Sequence, residues 1–198
     1  MKTRKGFTLL ELLIVIGILA ILSTTIVLVI NPAELLRKAR DSQRISDLSA
    51  LKTAIAYYVT DVANPNIGPM GSTFSTVASS VCFGGSSTST ALTVDGLGWI
   101  PINFATTTGG SPIGSLPRDP NQSTSAGATP GYYYIYGVKS ATNCTFKLVA
   151  NMESTYYSNG GAGDVESRDG GTDLFLYEVG TDLTIPIASS SDACFKGR

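Results

Sequence analysis

Histidine is absent from all 198 residues. That removes the side chain that most often serves as general base or metal ligand near neutral pH. It argues against an enzyme, though carboxylate chemistry is not excluded. Charge is scarce as well: 15% of residues are Asp, Glu, Lys or Arg, and the net charge is −1. A nucleic-acid-binding domain carries a clear basic excess, and this chain has none. The three cysteines, Cys82, Cys144 and Cys194, show no C-x-x-C spacing, so no zinc or redox motif is present. Outside the cytoplasm such a set makes one bridge and leaves one thiol, with three pairings open.

What the sequence does have is one long apolar run. Phe7 to Ile30 is broken only by Thr8, Glu11, Gly17, Ser23, Thr24 and Thr25. As a helix it reaches roughly 36 Å, enough to span a hydrocarbon core of about 30 Å. A removed signal peptide has a shorter apolar stretch and an A-x-A-like cleavage site after it. This run instead ends in Asn31-Pro32-Ala33-Glu34. A retained membrane helix is the expectation.

Before the run stand Lys2, Arg4 and Lys5, then Gly6 and Phe7, and one acid, Glu11, is the fifth residue counted from Phe7. A carboxylate in a membrane segment costs about 2.5–3.5 kcal/mol at the centre and less near an end. No Lys or Arg follows Glu11 until Arg37, so the run itself is expected to offer it no partner.

This start resembles the class III signal of type IV pilins and type II secretion pseudopilins. The resemblance covers residues 1 to about 30. It implies a prepilin peptidase that cuts between Gly6 and Phe7 and methylates the new amine of Phe7. One turn separates Phe7 from Glu11, so the spacing allows Glu11 to pair with that amine within the chain or in the next subunit; the resemblance implies that the intersubunit pair sets the axial stagger of the filament. Cleavage removes Lys2, Arg4 and Lys5, the charges that hold the start of the chain on the cytoplasmic side. The implied partners are other pilin subunits, the peptidase, the inner-membrane assembly machinery and, before assembly, membrane lipid. The implied location is the cytoplasmic membrane, single-pass with the C-terminal domain outside, and then a surface or periplasmic filament.

Asn31, Pro32 and Glu34 form a helix start, with N-cap, first-turn proline and capping acid. A break or bend is expected there, with flexibility over residues 23–32. Further on, Ile45, Leu48, Leu51, Ile55, Tyr58 or Val59, and Val62 recur at helical spacing and predict an apolar stripe that packs on a sheet. The opposite face carries Arg37, Lys38, Arg40, Asp41, Arg44, Asp47 and Lys52. It reads as solvated or subunit-facing; DNA binding by its four leading basic residues is the alternative.

The expected organisation is a leader 1–6, a membrane or filament-core helix 7–30, an amphipathic helix 31–62 and an outer domain 63–198. In the last, 63–95 reads as a loop rich in Pro, Gly and Ser, and a sheet follows within 97–187. Trp99 is expected in the core. Tyr132–Tyr136, Thr145–Ala150, Asp173–Val179 and Leu183–Ile187 are the strand candidates, the first two joined as a hairpin. The fold class is α+β, a long helix packed on a small antiparallel sheet.

Leu116-Pro117-Arg118-Asp119-Pro120 resembles a stretch of the major pseudopilins, which also carry a calcium-binding loop. That likeness makes Asp164, Asp169 and Asp173 weak calcium candidates; a polar turn is the default, and no cofactor is expected. With no nucleophile–base pair, phosphate loop or metal cluster in view, the expected role is a structural subunit of a pilus-like filament. A secretion pseudopilin is the alternative, and a DNA-uptake or adhesin subunit comes after it.

Overall fold

A computed structural model describes residues 6–77, 89–122, 131–140 and 143–186. The chain forms two compact units, Met1–Arg37 and Lys38–Arg198.

In the first unit, α1 runs from Leu9 to Ile30. Its hydroxyl residues do not interrupt it, because each donates back into the helix. Ser23 Oγ reaches the Leu19 carbonyl at 2.7 Å, Thr24 Oγ1 that of Ala20 at 2.9 Å, and Thr25 Oγ1 that of Leu22 at 2.8 Å. With these groups satisfied internally, the surface stays compatible with hydrocarbon. The helix ends where Asn31 turns left-handed, at φ 44°, a conformation that asparagine tolerates better than most residues. Asn31 then starts α2, Pro32–Asp61, accepting from the Glu34 amide through its own carbonyl at 3.0 Å. The expected break is therefore made by one residue that closes one helix and opens the next.

In the second unit, four antiparallel strands lie in the order β1 (Thr73–Ser75), β2 (Ile135–Ser140), β3 (Thr145–Ala150) and β4 (Tyr177–Gly180). Leu48, Leu51, Ala54, Ile55 and Tyr58 of α2 pack in one buried cluster with Tyr134, Tyr136 and Val138 and with Phe146, Leu148 and Ala150 of β3. The expected stripe thus meets the sheet from Leu48 onward, with Val59 and Val62 half-buried against it, while Ile45 is half-buried outside this cluster, and Trp99 and Phe104 complete the core. The Trp99 indole N–H donates to the Pro117 carbonyl at 3.0 Å, and the Phe104 ring stands edge-on to Tyr58.

The segment read as a loop at 63–95 contains β1, paired with β2. The sheet therefore begins upstream of 97. In the hairpin, β2 starts at Ile135 and runs on to Ser140, later than the aromatic run implied. The strand expected at Asp173–Val179 begins only at Tyr177 and ends at Gly180, after a turn at 174–175 and a bend at 176. Leu183 to Pro186 form no strand; Ile187 lies outside the described residues.

The polar face of α2 is not solvated throughout. Asp41 and Arg44, read as solvated, are fully buried. Their charges face protein groups that lie more than seventy residues away along the chain.

Candidate functional site

The start of the chain carries the first candidate residues. Gly6 and Phe7 precede the helix without regular structure, and the Phe7 side chain is 81% exposed. Around Gly6 a Cβ would meet open space. The bond between these two residues thus lies in an accessible, non-helical stretch, the form a peptidase needs.

Glu11 does have a partner inside its own chain, contrary to the expectation. Thr8 is the N-cap of α1, and its hydroxyl accepts from the Glu11 amide at 3.2 Å. The Glu11 carboxylate returns the contact, accepting from the Thr8 amide and the Thr8 hydroxyl, each at 2.8 Å. This is a capping box, which satisfies amides that the first turn of a helix leaves orphaned. The spacing Thr8-x-x-Glu11 is its sequence signature, legible once the acid is read as part of a helix start. Among the described residues, the carboxylate faces one amide and one hydroxyl, both of Thr8, through the same oxygen, Oε2.

Beyond Glu11 the helix is apolar on every side. Its large side chains from Leu9 to Ile26 are exposed, and that window is long and apolar enough to cross a membrane. A helix without a polar face needs apolar surroundings all round.

The four basic residues are taken up by intramolecular contacts. Arg37 pairs with Glu34 at 3.6 Å. Lys38 Nζ lies 4.4 Å from the centre of the Tyr156 ring. Arg40 grips Glu153 through Nε at 2.7 Å and through Nη2. Arg44 binds Asp119 with two prongs, reaches Asp41 at 2.6 Å, and lies over the Tyr132 ring. Asp41 in turn accepts from the amides of Glu153 and Ser154 at 2.8 and 2.7 Å. Burial alone would raise the Glu153 carboxyl, but hydrogen bonding from Arg40 and the nearby Arg44 hold it below the ordinary carboxylate range. Arg40 and Arg44 are thereby committed to the fold, which weakens the DNA-binding alternative.

The calcium candidates do not converge. Asp164 accepts from the Gly160 amide and from the amide and hydroxyl of Ser167. These bonds, the Ser167 hydroxyl first, lower its carboxyl to about 2. Asp169 accepts from the Gly171 and Glu178 amides, and Asp173 from the Phe175 amide. Among the described residues no three acidic or cysteine side chains form a metal-holding group. Cys144 is half-buried with φ 50°; Cys82 and Cys194 lie outside the described residues.

A groove of about 910 Å³ runs between α2 and Gly109–Ile113. Its α2 side is Ser42, Ile45, Ser46, Ser49, Ala50, Thr53, Ala54 and Tyr57. None of these is a carboxylate or a cation, so acid–base chemistry by charged groups has no purchase there.

Residues 1–27 match the family model of the prokaryotic N-terminal methylation motif. No curated protein matches the chain, and no solved structure does.

Proposed function

We propose that this chain, whose first 27 residues carry the methylation motif of prepilin-type signals, is a structural subunit of a type IV pilus-like filament. The motif is the signature of type IV pilin and pseudopilin precursors, which are processed by a prepilin peptidase and act as structural subunits. It also implies assembly with other pilin subunits. The observation that carries the finer reading is α1 itself. It is apolar on all sides and joined to a second unit with a packed core of its own. Lipid covers such a helix in the precursor, and neighbouring subunits' helices would cover it in a filament. Cleavage between Gly6 and Phe7 supplies the positive amine, N-methylated, that pairs with Glu11 across subunits. The outer unit stays outside the cytoplasmic membrane and becomes the filament surface.

Electron microscopy of producing cells tests this reading. Long surface fibres that contain the chain, and that are lost with Glu11→Ala although cleavage continues, are expected. Absence of fibres together with retention of secreted proteins on deletion would favour a secretion pseudopilin instead.

A further inference from the structure

The sheet face turned away from α2 holds a buried lysine. Along β3 the side chains alternate, so Phe146, Leu148 and Ala150 join the α2 core while Lys147 and Val149 point to the other side. Both cross-strand neighbours of Lys147 are glycines, Gly137 on β2 and Gly180 on β4. A glycine on each side leaves the four-carbon stem room to lie along the sheet. At Gly180 the fit is closed to any other residue, since a Cβ would lie 2.2 Å from the Phe146 carbonyl oxygen.

Lys147 is 1% exposed, and its ammonium is surrounded by oxygen. It pairs with the Glu178 carboxylate. It also meets the Thr172 hydroxyl at 3.2 Å, the Leu183 carbonyl at 3.0 Å and the Ile185 carbonyl at 3.1 Å. An ammonium has three protons to give, and four oxygen groups compete for them. One carboxylate, one hydroxyl and two main-chain carbonyls are the ligand types that a hard metal ion collects. The oxygens come from three places along the chain: the turn before β4, β4 itself and the segment after it. The carboxylates at 164, 169 and 173, by contrast, are engaged by nearby amides and hydroxyls.

We propose that the Lys147 ammonium is the built-in cation of an oxygen cage fastening residues 181–186 to the sheet, so that this fastening requires no dissolved divalent metal. Lys139 adds a second, outer hold on the same segment, donating to Asp182 at 2.8 Å and to Thr184 at 3.3 Å. An ordinary buried ion pair would need Glu178 alone. The carbonyls of Leu183 and Ile185 are what make the lysine a centre of attachment, because a buried carbonyl left without a donor is costly.

Hydrogen exchange on the detergent-solubilised full chain reads the fastening directly. The amides of Thr181 and Asp182 donate to the Phe146 carbonyl and report on the segment. In the unaltered protein their protection should be the same with calcium chloride or with a chelator, and native mass spectrometry should find no bound calcium. Lys147→Met should speed their exchange by about tenfold, the scale of a lost buried hydrogen-bond partner. Lys147→Met combined with Glu178→Gln removes both charges while keeping an acceptor at 178, and it should remain as fast as the single variant. Recovery of protection in the double variant would reduce the arrangement to a simple ion pair and overturn the proposal. Loss of protection on chelation, or a calcium ion retained by the unaltered chain, would overturn it without any variant.

Discussion

Arg44 and Asp119 form a two-pronged bridge, with Nε 2.7 Å from Oδ2 and Nη2 2.8 Å from Oδ1, and both side chains are fully shielded from solvent. The bridge ties α2 to the Leu116–Pro120 stretch, whose Pro117 carbonyl also receives the Trp99 indole N–H. Burying two such ions costs several kcal/mol, recovered only when every donor and acceptor is used. Here Arg44 also donates to Asp41, and Asp119 also accepts from the Asn121 amide at 2.8 Å.

Removing one side of the bridge should therefore unsettle the whole outer unit. Asp119→Ala leaves a buried guanidinium short of its main partner, at an expected cost of about 3–5 kcal/mol. The chain's one tryptophan, Trp99, is fully buried beside this site, so its fluorescence in a denaturant titration reports the loss. A midpoint equal to that of the unaltered chain would mean that the bridge carries no stability.

Thr8 gives a second prediction. Thr8→Val keeps the shape but removes the hydroxyl that accepts from the Glu11 amide and donates to the Glu11 carboxylate. Loss of such a cap costs about 1 kcal/mol. The Glu11 amide in detergent should then exchange about fivefold faster, and Thr8→Ser should restore the slower rate. Equal rates in all three chains would remove the cap from the account of Glu11.

Acid should loosen the outer unit. The Asp182 carboxyl is lowered to about 2 by the Lys139 ammonium and then by Thr184, and Asp164 to about 2 by Ser167 and nearby amides. Glu153 is lowered as well, with Arg40 and Arg44 outweighing its burial. A carboxyl whose pKa is lower folded than unfolded adds stability above its unfolded value, near 4, and that stability is lost as pH falls through the folded value. Asp47 and Asp169 act oppositely, since burial raises them, so they lose a penalty on protonation. Asp95 is lowered too, by hydrogen bonds from Thr93 and the Leu97 amide, so among the described carboxyls of the outer unit four are lowered against these two raised. The Trp99 melting temperature should fall between about pH 4 and about pH 2, and Lys139→Met should reduce the fall. A melting temperature that rises on acidification would reverse the assignment.

The helical parts of this chain were legible because their signals are local and periodic. The apolar run gave α1, the spacing from Leu48 to Tyr58 gave the buried face of α2, and Asn31-Pro32 gave the break. Arg44 was misread because periodicity tells which face a residue is on, while only the fold brings Asp119 to that face. Strand β1 was missed because Thr73 and Ser75, the two residues it buries, are polar and short. Leu183 and Ile185 looked like strand residues, yet what they contribute is main-chain carbonyls aimed at Lys147. The partner of Glu11 was overlooked for a different reason. The cation that an acid in an apolar run calls for is not its first partner: the threonine three residues earlier engages one carboxylate oxygen, Oε2, within the chain.

The proposed filament role depends on a cut between Gly6 and Phe7 and on the freed amine of Phe7 serving assembly. Mass spectrometry of the chain isolated from its own cells is the most direct test. A protein that begins at N-methylated Phe7, with Gly6→Val leaving the leader attached, is the predicted result. A chain that keeps Met1 through Gly6 in the mature filament fraction would contradict it.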